Sequence, residues 1–187
     1  MNARFLTAGV GCFLSVAVLA EPRVRPAEWA QPVVDTVLHN FYQVSPDLFR
    51  AEQPGAKCAQ DLRIMGVRTI VCLRKYHDDA SLEGLGDFHV VRVSMAAGSV
   101  KRAEVLQALH AIREAPQPVL VHCWHGSDRT GVVVAAYRIV LQGWSNDRAI
   151  DELKNGGFGY HAKTYGNLVS LLKAIDAGEW RKELGVQ

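Results

Sequence analysis

Apolar and polar positions along this chain fall into short runs whose period changes. Val119-Leu120-Val121 is apolar without alternation, which predicts a strand buried on both faces. Thr69-Ile70-Val71-Cys72-Leu73 reads the same way, and Phe88–Val93 predicts the next strand. Phe41–Val44 and Leu48–Arg50 predict two short strands around the turn Ser45-Pro46-Asp47. Helical spacing fills the gaps. One helix is predicted over about Ala56–Met65, stopped at Gly66. Another covers Lys101–Arg113, with Val105, Leu106, Leu109 and Ile112 on one face. Thr130–Gln142 is apolar nearly all round, so it belongs in the core. Ser145 is placed to cap a helix to Lys154, ended by Gly156-Gly157, and a last helix is predicted over about Thr164–Ala177. Strands alternating with helices predict an α/β fold, a central largely parallel sheet flanked by helices.

Length and composition narrow this reading. At 187 residues the chain suits one domain with a real core, and 49% apolar with 21% charged residues is a globular composition. A net charge of +2 is too small to argue for nucleic acid or a membrane surface. Residues 1–20 read as a signal peptide: Arg4 supplies the positive end, Phe5–Leu19 is apolar, and Val18-Leu19-Ala20 presents small residues before Glu21. The expected organisation is a signal peptide over 1–20, a Pro-containing lead-in over 21–39, and one domain over 40–187, in a periplasmic or secreted protein. Any membrane contact would run through an uncleaved N-terminal segment. Removal of residues 1–20 leaves three cysteines, Cys58, Cys72 and Cys123. An odd number in an oxidising compartment leaves at least one free thiol.

Candidate chemistry gathers in one stretch, His122-Cys123-Trp124-His125-Gly126-Ser127-Asp128-Arg129-Thr130-Gly131. It lies between the Val119 strand and the core helix. A loop of this length can close around one tetrahedral oxyanion, with amides from Trp124 to Arg129 turned inward and a helix N-terminus behind them. Gly126 permits the tight turn. Arg129 can fork two phosphate oxygens. Cys123 at the bottom of such a positive cup would be held as the nucleophilic thiolate.

These residues resemble the signature loop of the cysteine-dependent protein tyrosine phosphatases, His-Cys-x5-Arg-Thr-Gly, and the dual-specificity-like branch in particular. The segments Leu48–Pro54 and Val71–Arg74 extend the resemblance over most of residues 40–175. It implies a phosphotyrosine-phosphatase-like fold. It implies that Cys123 attacks phosphorus, that Arg129 holds the phosphoryl oxygens and that the Thr130 hydroxyl assists the leaving thiolate. Trp124, His125, Gly126 and Ser127 complete the phosphate-binding loop, and His122 orients Cys123 as a supporting residue. No cofactor and no metal is called for, since thiolate, Arg129 and amides suffice.

The proton donor is where the chain departs from that pattern. The family's acid sits on the loop that here reads Ser94-Met95-Ala96-Ala97-Gly98-Ser99, which has no carboxylate. Sites in parallel sheets lie at the carboxyl ends of the strands, so Asp87, before its strand, falls on the wrong edge. Asp78 and Asp79 fall on the right edge, Glu104 lies just after the empty loop, and Asp128 is in the cup itself. Asp128 is the expected acid, alone or with Asp79, and Asp78, Asp79 and Glu104 are the alternatives. His161 reads as a packing or rim residue. Cys58 and Cys72 read first as buried thiols; the alternative for Cys72, on a strand neighbouring the loop, is a protective disulfide with Cys123 under oxidation.

The expected activity is that of an exported phosphomonoester hydrolase working through a phosphocysteine intermediate. Its partner would be a phosphorylated protein, or a phospholipid or other small phosphate ester, and no nucleic acid. A loop without lysine mildly disfavours highly phosphorylated inositols. Two rivals are a catalytically weak phosphate-binding pseudophosphatase and a rhodanese-like sulfur-transfer protein. Arg129 followed by Thr130-Gly131 argues against the second.

Overall fold

The computed structural model describes residues 24–77 and 79–186. The signal peptide expected over 1–20, and Asp78, lie outside the described residues. Six strands form one sheet: β1 Gln31–Pro32, β2 Tyr42–Ser45, β3 Leu48–Ala51, β4 Thr69–Cys72, β5 His89–Arg92 and β6 Val119–His122. Their order is β1-β2-β3-β6-β4-β5. β3, β6, β4 and β5 are parallel, while β1 and β2 run antiparallel at one edge. Among the described residues six α-helices flank it: α1 Ala59–Ile64, α2 Arg102–Glu114, α3 Asp128–Val140, α4 Asn146–Asn155, α5 Gly166–Lys173 and α6 Ala177–Glu183. This is the largely parallel, helix-flanked sheet that the pattern predicts.

The unalternating strands are explained by two cores. Val119 and Val121 of β6 pack in the larger one with Val105, Leu109, Val133 and Ile139, whereas Leu120 turns to the other face with Phe49, Leu62 and Ile70. A strand covered on both sides needs apolar residues at every position. Cys123 belongs to the larger core's face, so His122 points to the opposite side of the sheet. α3 passes through the larger core and is buried along most of its length.

The last predicted helix, over about Thr164–Ala177, ends at Lys173 as α5, and α6 follows as a helix the pattern did not predict. Asp176 accepts the Glu179 amide at 2.9 Å as the cap of α6. The lead-in is also packed: Trp29, Ala30 and Leu38 are buried, and the Ala30 amide donates to Glu152 at 2.7 Å. Glu152 is itself buried against Arg138, with both guanidinium contacts at 2.9 Å. One carboxylate thus ties α3, α4 and the lead-in together. Glu152→Ala leaves the Arg138 charge buried and unpaired, an expected loss of about 3–5 kcal/mol, readable by urea unfolding. An unchanged midpoint would show the pair to be replaceable.

Candidate active site

The loop after β6 lies at the carboxyl edge of the parallel strands, where ligands bind in open α/β sheets. Gly126 turns it with φ of 69°, and a Cβ there would meet the Ala51 carbonyl oxygen at 2.4 Å. Only glycine lets the loop pass that close to the end of β3. Among the described residues, the amides of Trp124, His125, Gly126 and Ser127 donate to no protein acceptor. The buried Arg129 Nε and Thr130 Oγ1 have no hydrogen-bond partner either. α3 starts at Asp128, so the positive end of its dipole faces the same loop. Unsatisfied donors around a turn, at a helix N-terminus, form an anion cradle. Cys123 opens that loop and is 2% exposed.

Two buried groups brace the loop from below. Arg50 on β3 donates to the Gly126 carbonyl at 2.6 Å and lies 3.6 Å from the Phe158 ring centroid. Burial pulls its pKa down to about 10, against the opposing pull of the Glu152 and Cys123 charges, so Arg50 remains a cation at neutral pH. On the other face of the sheet, His122 is fully buried. Its Nδ1 lies 3.1 Å from the Cys123 carbonyl oxygen and its Nε2 lies 2.6 Å from Asp79 Oδ2. Gln53 donates to Asp79 Oδ1 at 2.5 Å.

Asp79 is therefore not placed as a proton donor to substrate. It is 0% exposed and sits behind the loop, bound to His122. Burial raises its pKa, but the His122, Gln53 and Cys72 hydrogen bonds and the His122 charge together outweigh that and hold it at about 2. The folded value lies below the ordinary 3.8, so this carboxylate stabilises the fold fully above about pH 4 and progressively less as pH falls toward 2. Asp79→Asn should lower the urea midpoint at pH 7, and the gap from wild type should narrow on acidification. A constant gap would contradict the assignment.

Cys72 pairs in register with His122, so both side chains share a face opposite Cys123. Its pKa is pushed up to about 12, by burial first and by the Asp79 charge next. That orientation and protonation do not suit the Cys72–Cys123 disulfide, and Cys58, Cys72 and Cys123 are free thiols. Cys72, Asp79 and His122 present three ligand-type atoms within 4.8 Å of one another. These groups already satisfy each other by hydrogen bonding.

A pocket of about 650 Å³ opens above the loop. It is lined by Arg74, Lys75, Tyr76, Met95, Ala96, Ala97, Trp124, His125, Asp128, Arg129, His161, Thr164 and Tyr165. The loops after β4, β5 and β6 all contribute, as the sheet-edge argument requires. Trp124 and His125 line the pocket, and the Arg74 guanidinium lies 4.0 Å from the Trp124 ring centroid. Asp128 is on the wall. Glu104 is not: its carboxylate accepts the Lys101 amide at 2.8 Å and caps α2. Asp87 pairs with Arg63 at 2.9 Å, away from the pocket. The sequence reading missed Arg50, Arg74 and Lys75. Arg74 and Lys75 had a readable signal, since they open a loop on the ligand edge. Arg50 had none, because a charge inside a strand reads as solvent-facing until its partner is seen.

Fold and site together define a cysteine-based phosphatase. The chain belongs to the dual-specificity-type protein tyrosine phosphatases: residues 47–143 match the family described as polymorphic toxin system, DSP-PTPase phosphatase. Over 161 residues it is 40% identical to the dual specificity protein phosphatase TpbA of Pseudomonas aeruginosa, covering 82% of this chain and 72% of that one. The crystal structure of a cysteine-to-serine variant of P. aeruginosa TpbA with pTyr superposes with a TM-score of 0.74 at 35% identity, over 87% of this chain and 99% of that one. The core catalytic domain of the PP-IP phosphatase SIW14 from S. cerevisiae shares the fold, with a TM-score of 0.69 at 22% identity over 81% and 94% of the two chains. The protein is a hydrolase of this family.

Proposed function

We propose that the protein is an exported phosphomonoester hydrolase that works through a phosphocysteine on Cys123. The four unpartnered loop amides, together with Arg129 Nε and Thr130 Oγ1, carry this reading. They supply donors for the equatorial oxygens of a phosphoryl group in line with the sulfur. Arg129 holds two of those oxygens as a fork. Thr130 stabilises the thiolate as it leaves in the second step. His122, braced by Asp79, and Arg50, bonded to Gly126, keep the loop in shape. Asp128 belongs to the proton-transfer machinery, being the carboxylate on the pocket wall.

The preferred substrate is phosphotyrosine in protein. The pocket wall is aromatic, with Trp124, His125, Tyr76 and Tyr165, and an aryl ring stacks well on such walls. The relative crystallised with pTyr supports this choice. Arg74 and Lys75 favour a second reading: a phospholipid or small phosphate ester carrying another negative group. The test is a panel of phosphotyrosine and phosphoserine peptides, phospholipids and sugar phosphates, with acid-quenched enzyme analysed by mass spectrometry for phosphocysteine. Turnover without any adduct on Cys123 would sink the mechanism. Phosphate binding with no turnover of any substrate would make the protein a pseudophosphatase. Export is supported by the charge and apolar pattern of residues 1–20. A mature chain recovered with an N-terminus other than Glu21 would revise the cleavage point.

A further inference from the structure

His161 holds its imidazole where a proton donor is missing. The loop after β5 turns Met95, Ala96 and Ala97 to the pocket, and none of the three ionises. Asp128 is the only carboxylate lining the pocket among the described residues. Its two oxygens are both taken by one residue. Oδ1 accepts the His161 backbone N–H at 3.0 Å, and Oδ2 accepts from His161 Nδ1 at 2.9 Å. With its side chain 10% exposed, Asp128 is nearly enclosed, while the His161 side chain is 52% exposed and lines the pocket with Arg129. A carboxylate that accepts on both oxygens is placed to orient its partner rather than to hand over a proton. Fixing Nδ1–H on Asp128 leaves Nε2 as the ring atom free for exchange.

The position is built by the backbone. Gly157 and Gly159 both adopt positive φ, 76° and 75°, and bring the chain back over α3. The His161 carbonyl then accepts the Thr164 and Tyr165 amides at 3.0 and 2.9 Å, which closes a turn around this residue. The Tyr165 ring stands edge-on to the imidazole, with centroids 6.3 Å apart. A surface histidine without a task needs none of these restraints.

We infer that His161 is the general acid and base of the reaction and that Asp128 is its positioning residue. The inference rests on the phosphocysteine reading above. In the first step the Cys123 thiolate forms the S–P bond as the ester P–O bond breaks. The departing oxygen takes the Nε2 proton of the His161 imidazolium, which becomes neutral imidazole and keeps Nδ1–H on Asp128. In the second step water attacks phosphorus, Nε2 takes its proton, and the S–P bond breaks to return the Cys123 thiolate and release phosphate. The imidazolium is regenerated, and no outside reagent is needed.

The test compares leaving groups. His161→Asn and His161→Ala should lose about 100-fold in kcat/KM on an alkyl or unsubstituted phenyl phosphate, with little change in kcat/KM on a nitrophenyl phosphate whose oxygen leaves without protonation. The dependence of kcat/KM on leaving-group acidity should steepen accordingly. Added imidazole should restore part of the rate to His161→Ala, which a purely structural role would not allow. Asp128→Asn should show the same selectivity in weaker form. If the His161 variants keep the slow substrates and Asp128→Asn or Asp78→Asn alone loses them, that carboxylate is the acid and the inference is overturned. If His161→Ala loses both kinds of substrate equally and imidazole rescues neither, His161 is structural and the inference is overturned as well. Failure of the underlying reading is distinct: Cys123→Ser would then retain turnover of the nitrophenyl ester.

Discussion

Cys123→Ser is expected to abolish turnover of aryl phosphates while leaving inorganic phosphate able to bind. The fall should be on the order of 10⁴-fold or more, since a lost nucleophile removes the covalent path altogether. Serine fills nearly the same space in a site that is 2% exposed, so the fold should be retained. A serine hydroxyl is a far weaker nucleophile than a cysteine thiolate, and His122 cannot activate it, since it points to the other side of the sheet and is bound to Asp79. The amide cradle is backbone and is untouched by the exchange. Steady-state assays with p-nitrophenyl phosphate, and phosphate binding followed by calorimetry, check both halves. Residual turnover near the wild-type rate would remove Cys123 from the chemistry.

Arg129→Lys is the second large effect, and it separates geometry from charge. Lysine preserves the positive charge but not the planar fork, so it contacts one phosphoryl oxygen where arginine contacts two. The fork matters most as charge develops on the equatorial oxygens, so kcat should fall more than KM rises. A loss of about 10²–10³-fold in kcat/KM is expected, the scale of removing one preorganised donor from an oxyanion site. Arg129 Nε has no partner among the described residues, so the exchange breaks no hydrogen bond with them at that atom. A lysine variant close to wild type would mean that simple charge is enough and that the loop amides carry the binding.

Much of the fold was legible because each signal was local. Unbroken apolar runs marked strands covered on both faces, and two cores on either side of the sheet are the reason. Ser145 was readable as a cap, and its side chain accepts the Arg148 amide. Helix α6 was less so: Gly178 and the charged Glu179, Arg181, Lys182 and Glu183 leave it little apolar spacing to read. The nucleophile loop was legible for the same reason as the strands, since strand, turn and helix are contiguous. The edge rule also placed Asp87 correctly, away from the site.

For Asp79 the edge rule was right but not sufficient. Asp79 does lie on the ligand edge, but behind the loop. Which side of a loop a residue takes depends on what fills the other side, and here it is His122 and Gln53, distant in sequence. His161 was passed over for the same reason: its partner Asp128 is 33 residues away, and neither residue alone marks the pair.

The sequence by itself determined the parallel strands and the Cys123–Arg129 loop, because those depend on periodicity and on residues adjacent along the chain, and the resemblance of that loop to a known signature pointed to the family. Tertiary structure alone decided which carboxylate braces the loop, which imidazole faces the pocket, and that Arg50 stands beneath Gly126. Those are long-range hydrogen bonds among buried or half-buried polar groups. Each such group must find a partner to offset its desolvation, and only the folded chain specifies which partner it finds.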